Sequence, residues 1–219
     1  MRKIAIFDLD GTLLDSIPDI SFCANEALAR AGLPGHPQDA YKAFLGMGPG
    51  TLITKMMTPE DYERYGAQIS ETYMALYREK CSRAGALFPG TLPMLGRLRE
   101  AGFLLGALSN KPHEMVCTLL PPTFGETLDL AVGQKEEFPR KPDPTSLFGM
   151  IEELGGSPET TVYVGDSEVD ILTGQNAKVF TIAVTWGNRS KDLLESYHPD
   201  LMVDTMEDLE KNILFVEVP

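Results

Sequence analysis

Apolar runs of strand length recur along the chain and alternate with segments of helical periodicity. They span residues 4–7, 103–108, 130–132, 161–164 and 180–185, with a further short strand predicted at 201–203. The runs are mostly continuous, as in strands that are buried on both faces of a parallel sheet. Between them, residues such as Leu147, Ile151 and Leu154 share one helical stripe. The pattern predicts an α/β fold, a Rossmann-like parallel sheet with helices on both faces.

Residues 16–88 break this alternation, because they carry helix signals and no convincing strand. Ser16 and Asp19 have the spacing of a capping box that begins one helix, and Thr58 with Pro59 begins another. One face of this second helix is apolar, and we interpret it as core: Tyr62, Tyr65, Ile69, Tyr73 and Leu76. The sequence therefore predicts an inserted all-helical domain at 15–88 and a catalytic core formed by 1–14 and 89–219.

Two pairs of aspartates follow predicted strands. Asp8 and Asp10 come directly after the first strand and precede Gly11, which permits a sharp turn. Asp166 and Asp170 follow residues 161–164 and are four positions apart, a spacing that puts both on one side of a helix. A polar turn or a helix cap would explain either pair alone. At a shared sheet edge, however, up to four carboxylates would converge and would require a cation.

The donor set of this predicted cluster indicates which cation it would hold. All of its ligands are oxygens, without histidine or cysteine, and such sets select hard cations. Mg²⁺ fits best, because it typically binds one or two carboxylates together with a substrate phosphate.

Two further loops offer groups that suit an anionic substrate. Ser109 and Asn110 follow the second strand and supply a hydroxyl and loop amides for phosphoryl oxygens, although the pair is also common in turns. Lys141 lies in a loop that Pro142 and Pro144 stiffen. A solvated surface lysine is the simpler interpretation of that position when it is taken alone.

Composition narrows the possible partners and the compartment. The formal net charge is −13, which argues against nucleic acid and anionic membranes as partners, since both require a basic face. The three cysteines form no close pair, so we expect a reducing compartment and no structural zinc. The chain shows neither a signal peptide nor an apolar stretch of membrane-spanning length, and we expect a cytoplasmic protein, a monomer or a homodimer.

Taken together, these residues resemble the haloacid-dehalogenase-like hydrolases, specifically the phosphoglycolate-phosphatase-like branch with a helical cap inserted after the first strand. The resemblance covers essentially the whole chain. It rests on four short motifs in the family's order and approximate spacing: Asp8-x-Asp10-Gly11-Thr12, Ser109-Asn110-Lys111, Lys141-Pro142 and Gly165-Asp166-x-x-x-Asp170. It implies that residues 15–88 are the cap and that the substrate is a small phosphorylated metabolite.

The resemblance also implies roles for the aspartates and the lysine. Asp8 would be the nucleophile and Asp10 the general acid and base. Mg²⁺ would be held by Asp8, by the backbone carbonyl of Asp10 and by Asp166, with Asp170 supporting the metal from behind. Lys141 would bind the transferring phosphoryl group and offset the charge of Asp8.

Further positions follow from the same resemblance. Gly11, Thr12, Ser109 and Asn110 would join Lys141 in binding phosphate. The Gly-x-Gly loop of the cap corresponds to Gly46, Met47 and Gly48 and would face the substrate. On the residues alone, that loop is only a flexible turn.

Three functions are compatible with this sequence. The main hypothesis is a Mg²⁺-dependent phosphomonoester phosphatase that forms a phosphoaspartate, with phosphoglycolate as the leading substrate. Asp10 argues against a dehalogenase, because a halide leaving group needs no proton. A phosphosugar mutase of the beta-phosphoglucomutase type is the first alternative, and a non-catalytic binding or regulatory protein on the same fold is the second.

Overall fold

Six parallel strands form the sheet of the computed structural model, which describes residues 2–81, 83 and 85–215. The strands are β1 (Lys3–Phe7), β2 (Phe103–Pro112), β3 (Leu130–Gln134), β4 (Thr161–Gly165), β5 (Phe180–Val184) and β6 (Leu201–Val203). Their order is β3-β2-β1-β4-β5-β6, and every neighbouring pair is parallel. All six predicted strands are present, although β2 and β3 run further than the apolar runs that predicted them.

Nine α-helices lie in the described part of the chain: α1 (Ile17–Arg30), α2 (Pro49–Lys55), α3 (Pro59–Cys81), α4 (Thr91–Glu100), α5 (His113–Phe124), α6 (Thr145–Glu153), α7 (Glu168–Ala177), α8 (Lys191–Ser196) and α9 (Met206–Phe215). Short 3₁₀ helices span Gln38–Ala43 and Pro158–Thr160. Of the helices described, none combines the length and the apolarity that a membrane span requires.

The sheet is covered on both faces, because successive residues of a strand point to opposite sides. In β1, Ala5 and Phe7 join a core cluster with residues of α4, α5 and α9. Ile4 and Ile6 join a separate cluster with residues of α6 and α7 on the other face. The predicted α/β class with a Rossmann-like parallel sheet is therefore confirmed.

Helices α1 to α3 lie between β1 and α4 and form the inserted all-helical unit. Its two connections to the sheet meet at an antiparallel bridge between Leu14 and Leu87. The described helices agree with the predicted insert, while the boundaries at 14/15 and 88/89 stay a prediction.

The capping predictions had different outcomes. Thr58 caps α3 as expected, since its hydroxyl accepts a hydrogen bond from the Asp61 N–H at 3.1 Å and donates one to the Asp61 carboxylate. The capping box at Ser16 was wrong. Ser16 has a helical backbone (φ −88°, ψ −9°) and makes no side-chain capping bond, because capping requires an extended conformation that aims the hydroxyl at the first turn.

The apolar face predicted for α3 was partly wrong. Ile69 and Tyr73 are buried, but Tyr62 is exposed and Leu76 is only half-buried. The fully buried face continues instead through Tyr77, one residue later. The difference matters for function, because Tyr73 and Tyr77 face the cavity between cap and core.

Candidate active site

The central strands bring the predicted aspartates to one edge of the sheet. β1 lies between β2 and β4, so the residues that follow these three strands meet at their carboxyl ends. The backbone N–H of Asp8 continues the pairing with β4 by donating to the Val164 carbonyl at 2.8 Å. Ser167 then caps α7 by accepting from the Asp170 N–H. The turn from β4 into α7 thus puts Asp166 and Asp170 on the side of Asp8.

Three carboxylates form a buried cluster at this edge. Oxygen atoms of Asp8, Asp166 and Asp170 all lie within 4.8 Å of one another. Asp166 and Asp170 are each only 1% exposed. Asp170 also accepts a 2.6 Å hydrogen bond from the Ser167 hydroxyl, which holds its carboxylate in place.

Lys141 reaches into this cluster from the loop after β3. Its Nζ donates to Asp8 Oδ1 at 2.9 Å and to Asp170 Oδ1 at 2.7 Å. The Leu108 carbonyl and the Tyr163 hydroxyl also lie within hydrogen-bond distance of Nζ, and the Tyr163 hydroxyl donates to Asp170. The lysine is buried and fully committed to these partners, so the solvated alternative for Lys141 is wrong.

Burial and neighbouring carboxylates raise the pKa values of two aspartates at this site. Burial raises the pKa of Asp8 to about 7, with Asp170 and Asp10 adding to the increase and Lys141 opposing it. Burial, Asp170 and Asp8 also raise the pKa of Asp166 well above its ordinary value. Carboxyls in this state are stabilised by a cation. The cluster is therefore a suitable site for a divalent metal ion with oxygen ligands.

Asp10 lies beside this cluster and has a lysine of its own. Lys111 Nζ is 2.9 Å from Asp10 Oδ1. Oδ1 is buried, and Lys111 is its ion-pair partner. The backbone carbonyl of Asp10 accepts a hydrogen bond from Asn188 Nδ2 at 3.2 Å.

Ser109 and Asn110 are buried at the end of β2 and line the cavity. The side chain of Asn110 joins other parts of the chain: Oδ1 accepts from the Lys141 N–H, and Nδ2 donates to the carbonyls of Lys141 and Gly46. Asn110 therefore holds the lysine loop and the cap loop, and its side-chain amide is already occupied. The Ser109 hydroxyl accepts from the Lys111 N–H at 3.2 Å.

Gly11 and Thr12 lie behind the cavity, and neither lines it. Their N–H groups donate to Leu14 and Leu9 carbonyls within the turn. Gly11 has a φ of +97°, and a Cβ there would lie 2.2 Å from Asp166 Oδ2, so glycine is required for the carboxylate to approach. Thr12 is fully buried. The structure thus shows that Gly11 makes room for Asp166. Phosphate binding by Gly11 and Thr12 stays a prediction.

The cap loop predicted to face the substrate lies over the core. Gly46 and Gly48 line the cavity, whereas Met47 does not. The Met47 carbonyl accepts instead from Arg140 Nη1 at 3.0 Å.

Two residues after β5 also belong to the site and were not predicted from the sequence. The N–H of Asn188 donates to Asp166 Oδ2 at 2.6 Å. Arg189 pairs with Glu168 and donates to the carbonyls of Lys42 and Leu45 in the cap. Their signal was available, because they follow an apolar strand at the same sheet edge.

A cavity of about 60 Å³ separates the sheet edge from the cap. Its core wall carries the polar and charged groups described above. Its cap wall is formed by Ile20, Leu45, Gly46, Gly48, Pro49, Leu52, Tyr73 and Tyr77. Among the described lining residues, the cap contributes no charged side chain.

Comparison with known proteins agrees with this geometry. The profile of the family described as haloacid dehalogenase-like hydrolase matches residues 5–184. A phosphoglycolate phosphatase from Vibrio vulnificus strain YJ016 is 30% identical over 214 residues, which cover 94% of each chain. One from Agrobacterium fabrum is 32% identical over 208 residues, covering 93% of this chain and 89% of the relative.

Solved structures show the same similarity. A crystal structure from Lactobacillus delbrueckii subsp. bulgaricus, provisionally identified as a phosphoglycolate phosphatase, superposes with a TM-score of 0.88. It is 32% identical and covers 98% of this chain and 100% of its own.

The chain belongs to the haloacid dehalogenase-like hydrolase family. Within that family it falls in the phosphoglycolate-phosphatase-like branch, and it is a hydrolase of phosphoric monoesters.

Proposed function

We propose that the protein hydrolyses small phosphate monoesters through a phosphoaspartate formed on Asp8. The observation that carries the proposal is the environment of Asp8. Its carboxylate is buried, bonded to Lys141 at 2.9 Å, within 4.8 Å of two other carboxylates and open to a cavity that Asp10 also lines. A carboxylate would normally repel a phosphate dianion, so a nucleophile of this kind needs concentrated positive charge around it.

The residues present fit a two-step reaction. An oxygen of Asp8 attacks phosphorus, the P–O bond to the leaving group breaks, and Asp10, which begins the cycle protonated, gives its proton to the departing alkoxide. Asp10, now a carboxylate, takes a proton from an attacking water. The new bond from water to phosphorus replaces the bond to Asp8, which returns as a carboxylate with release of phosphate.

A metal ion completes the charge balance of this proposal. Asp8, Asp166 and the backbone carbonyl of Asp10 would hold Mg²⁺, with Asp170 behind them and bonded to Lys141. When bound, the ion would neutralise the carboxylates and polarise the phosphoryl oxygens. Asn188 supports this arrangement, because it contacts both Asp166 and the Asp10 carbonyl.

The narrow cavity supports a small substrate, because it leaves little room for a large leaving group. Among small monoesters we put phosphoglycolate first because of the relatives. The relatives from Vibrio vulnificus and Agrobacterium fabrum are phosphoglycolate phosphatases. In this proposal the cap at 15–88 closes over the substrate, excludes bulk water and selects the leaving group.

Phosphate release from a panel of monoesters tests the proposal. The panel includes phosphoglycolate and sugar phosphates, each assayed with and without Mg²⁺ and with Asp8→Asn as the matched variant. We expect release that needs the metal and falls to background in Asp8→Asn. A mutase would instead conserve phosphate and require a bisphosphate activator. Release from no ester in the presence of metal would refute the phosphatase.

A further inference from the structure

Lys111 is a buried cation that the proposed chemistry does not use. Its side chain is only 3% exposed. Burial by itself lowers the pKa of Lys111, but the neighbouring Asp10 carboxylate reverses this effect and the pKa is raised. Burying a lysine is costly unless it is paired, and the Asp10 carboxylate is the acidic partner that lies within 4 Å of Nζ in the described chain.

The cap holds the other side of Lys111. Nζ donates a short hydrogen bond to the hydroxyl of Tyr77 on α3 and lies 4.7 Å from the centre of the same ring. The Tyr77 ring stacks on Tyr73, with ring centres 5.4 Å apart. Lys111 is therefore enclosed between a core carboxylate and a pair of cap aromatics.

The two lysines of the site contact different aspartates. Lys141 contacts Asp8 and Asp170, whereas Lys111 contacts Asp10. Oδ1 of Asp10 is buried against Lys111. The Asp10 side chain is still 20% exposed and lines the cavity, so its other oxygen is the one available for proton exchange.

We propose that Lys111 is a positioning residue that, steadied by Tyr77, holds the Asp10 carboxyl toward the oxygen of the leaving group. The inference rests on the acid–base role proposed for Asp10. Lys111 acts through Asp10 and not on the substrate. Its loss should therefore weaken protonation of the leaving group more than phosphoryl transfer itself.

Two esters of similar size separate these effects. Benzyl phosphate releases a basic alkoxide that needs the proton, whereas 4-nitrophenyl phosphate releases a stable phenolate that does not. The measured quantity is kcat/KM, because it reports the steps up to departure of the leaving group. Positioned acid catalysis contributes on the order of 10²- to 10⁴-fold.

We expect Lys111→Met to lower kcat/KM for benzyl phosphate on the order of 100-fold, and for 4-nitrophenyl phosphate less than about tenfold. Tyr77→Phe keeps the ring and removes only the hydroxyl. It should therefore lower kcat/KM for benzyl phosphate relative to 4-nitrophenyl phosphate in the same direction, by a smaller factor. In an Asp10→Asn background, Lys111→Met should have no further effect on benzyl phosphate. Lys211→Met, on the exposed surface of α9, is the matched control and should change neither ester.

The alternatives give different results. Equal losses on both esters in Lys111→Met and Tyr77→Phe, or losses that add to those of Asp10→Asn, would overturn the inference. So would a rise in KM confined to substrates that carry a second anionic group, since Lys111 would then bind substrate. Thermal melting checks folding, and Tyr77→Phe decides the question if Lys111→Met does not fold. Wild-type protein inactive on both esters and on the smaller esters of the panel would refute the proposed function instead.

Discussion

The two walls of the cavity are built on different principles. The core wall concentrates charge: Asp8 and Asp166 directly follow parallel strands, and Lys141 reaches Asp8 from the loop after β3. Hydrogen bonds from neighbouring loops hold them in place. The cap wall is apolar, with side chains such as Ile20, Leu52 and Tyr73. Chemistry and substrate selection are therefore separable in this protein. The charged groups of the core wall need a rigid, solvent-poor setting, whereas the apolar cap wall can vary without disturbing them.

Polar contacts between described residues join the two walls. Arg189, Asn110 and Arg140 donate to backbone carbonyls of the cap loop, and Lys111 donates to Tyr77. Because the first three acceptors are main-chain oxygens, the side chains of that loop remain free to change. Variants of each wall test this separation, and they are given in order of decreasing expected effect.

Removal of Lys141 should damage the core wall most. In Lys141→Met, Asp8 and Asp170 lose their shared cation, and breaking a buried ion pair typically costs about 3–5 kcal/mol. We expect turnover to fall on the order of 10²- to 10³-fold, as for loss of one preorganised electrostatic group. Steady-state assays and chemical denaturation measure both effects. Lys211→Met is the control, and wild-type turnover in Lys141→Met would contradict the account.

Bound Mg²⁺ should offset the loss of folding stability that a rise in pH causes through the core wall. The pKa of Asp8 is raised to about 7 and that of Asp166 is also raised, so the metal-free folded state binds more protons than the unfolded state. Stability from these groups is present below about pH 4, near the ordinary pKa of Asp, and is lost as pH rises toward 7. Mg²⁺ competes with these protons. We therefore expect it to raise Tm more at about pH 7.5 than at about pH 5.

Asp166→Asn is the matched variant for this measurement. It removes one carboxylate from the cluster and should abolish most of the shift that Mg²⁺ produces. An equal shift in Tm at both pH values, or in both proteins, would show that the ion binds elsewhere.

Loosening the contact between the walls should have an intermediate effect. Arg189 donates to the carbonyls of Lys42 and Leu45 at 2.5 and 2.8 Å. Hydrogen bonds of charged groups contribute roughly 1.5–3 kcal/mol, so Arg189→Met should lower kcat/KM by about tenfold or more. Hydrogen exchange of the cap loop should accelerate as well. The exposed Arg140, which donates to the Met47 carbonyl, provides a milder comparison, and unchanged exchange in Arg189→Met would count against cap docking by this residue.

A change confined to the cap wall should be the smallest. Ile20→Val removes one methylene group that faces the cavity, which is worth at most about 1–3 kcal/mol in substrate discrimination. We expect the ratio of kcat/KM for a larger and a smaller ester to change by about tenfold or less, with turnover of the best substrate retained. Ile213→Val, in the core at α9, should cost similar stability without changing the ratio. Loss of all turnover in Ile20→Val would contradict the separation of the two walls.

The core wall could be predicted from the sequence for a physical reason. Strands buried on both faces leave continuous apolar runs, and parallel strands put their following residues at one edge. The positions of Asp8 and Asp166 directly after such runs were therefore enough to predict that they lie together. Asn188 was overlooked because no aspartate follows β5 to mark that strand end.

The cap wall was much harder to predict from the sequence. Helical periodicity allows neighbouring positions on a helix to exchange between buried and half-buried, so Leu76 was predicted inside where Tyr77 lies. The pairing of Lys111 with Asp10 and Tyr77 joins positions far apart in the chain. Such contacts depend on how the cap lies on the core, and no local pattern records that arrangement.

The central claim is that Asp8 carries the phosphoryl group during turnover. Rapid acid quenching of the enzyme with Mg²⁺ and substrate, followed by digestion and mass spectrometry, tests this claim most directly. Asp10→Asn protein is included with 4-nitrophenyl phosphate, whose leaving group needs no proton, because slower hydrolysis should then accumulate the intermediate. The account predicts one phosphoryl group on the peptide at Asp8, formed at least as fast as turnover. Turnover without that adduct, or an adduct on another residue, would contradict it.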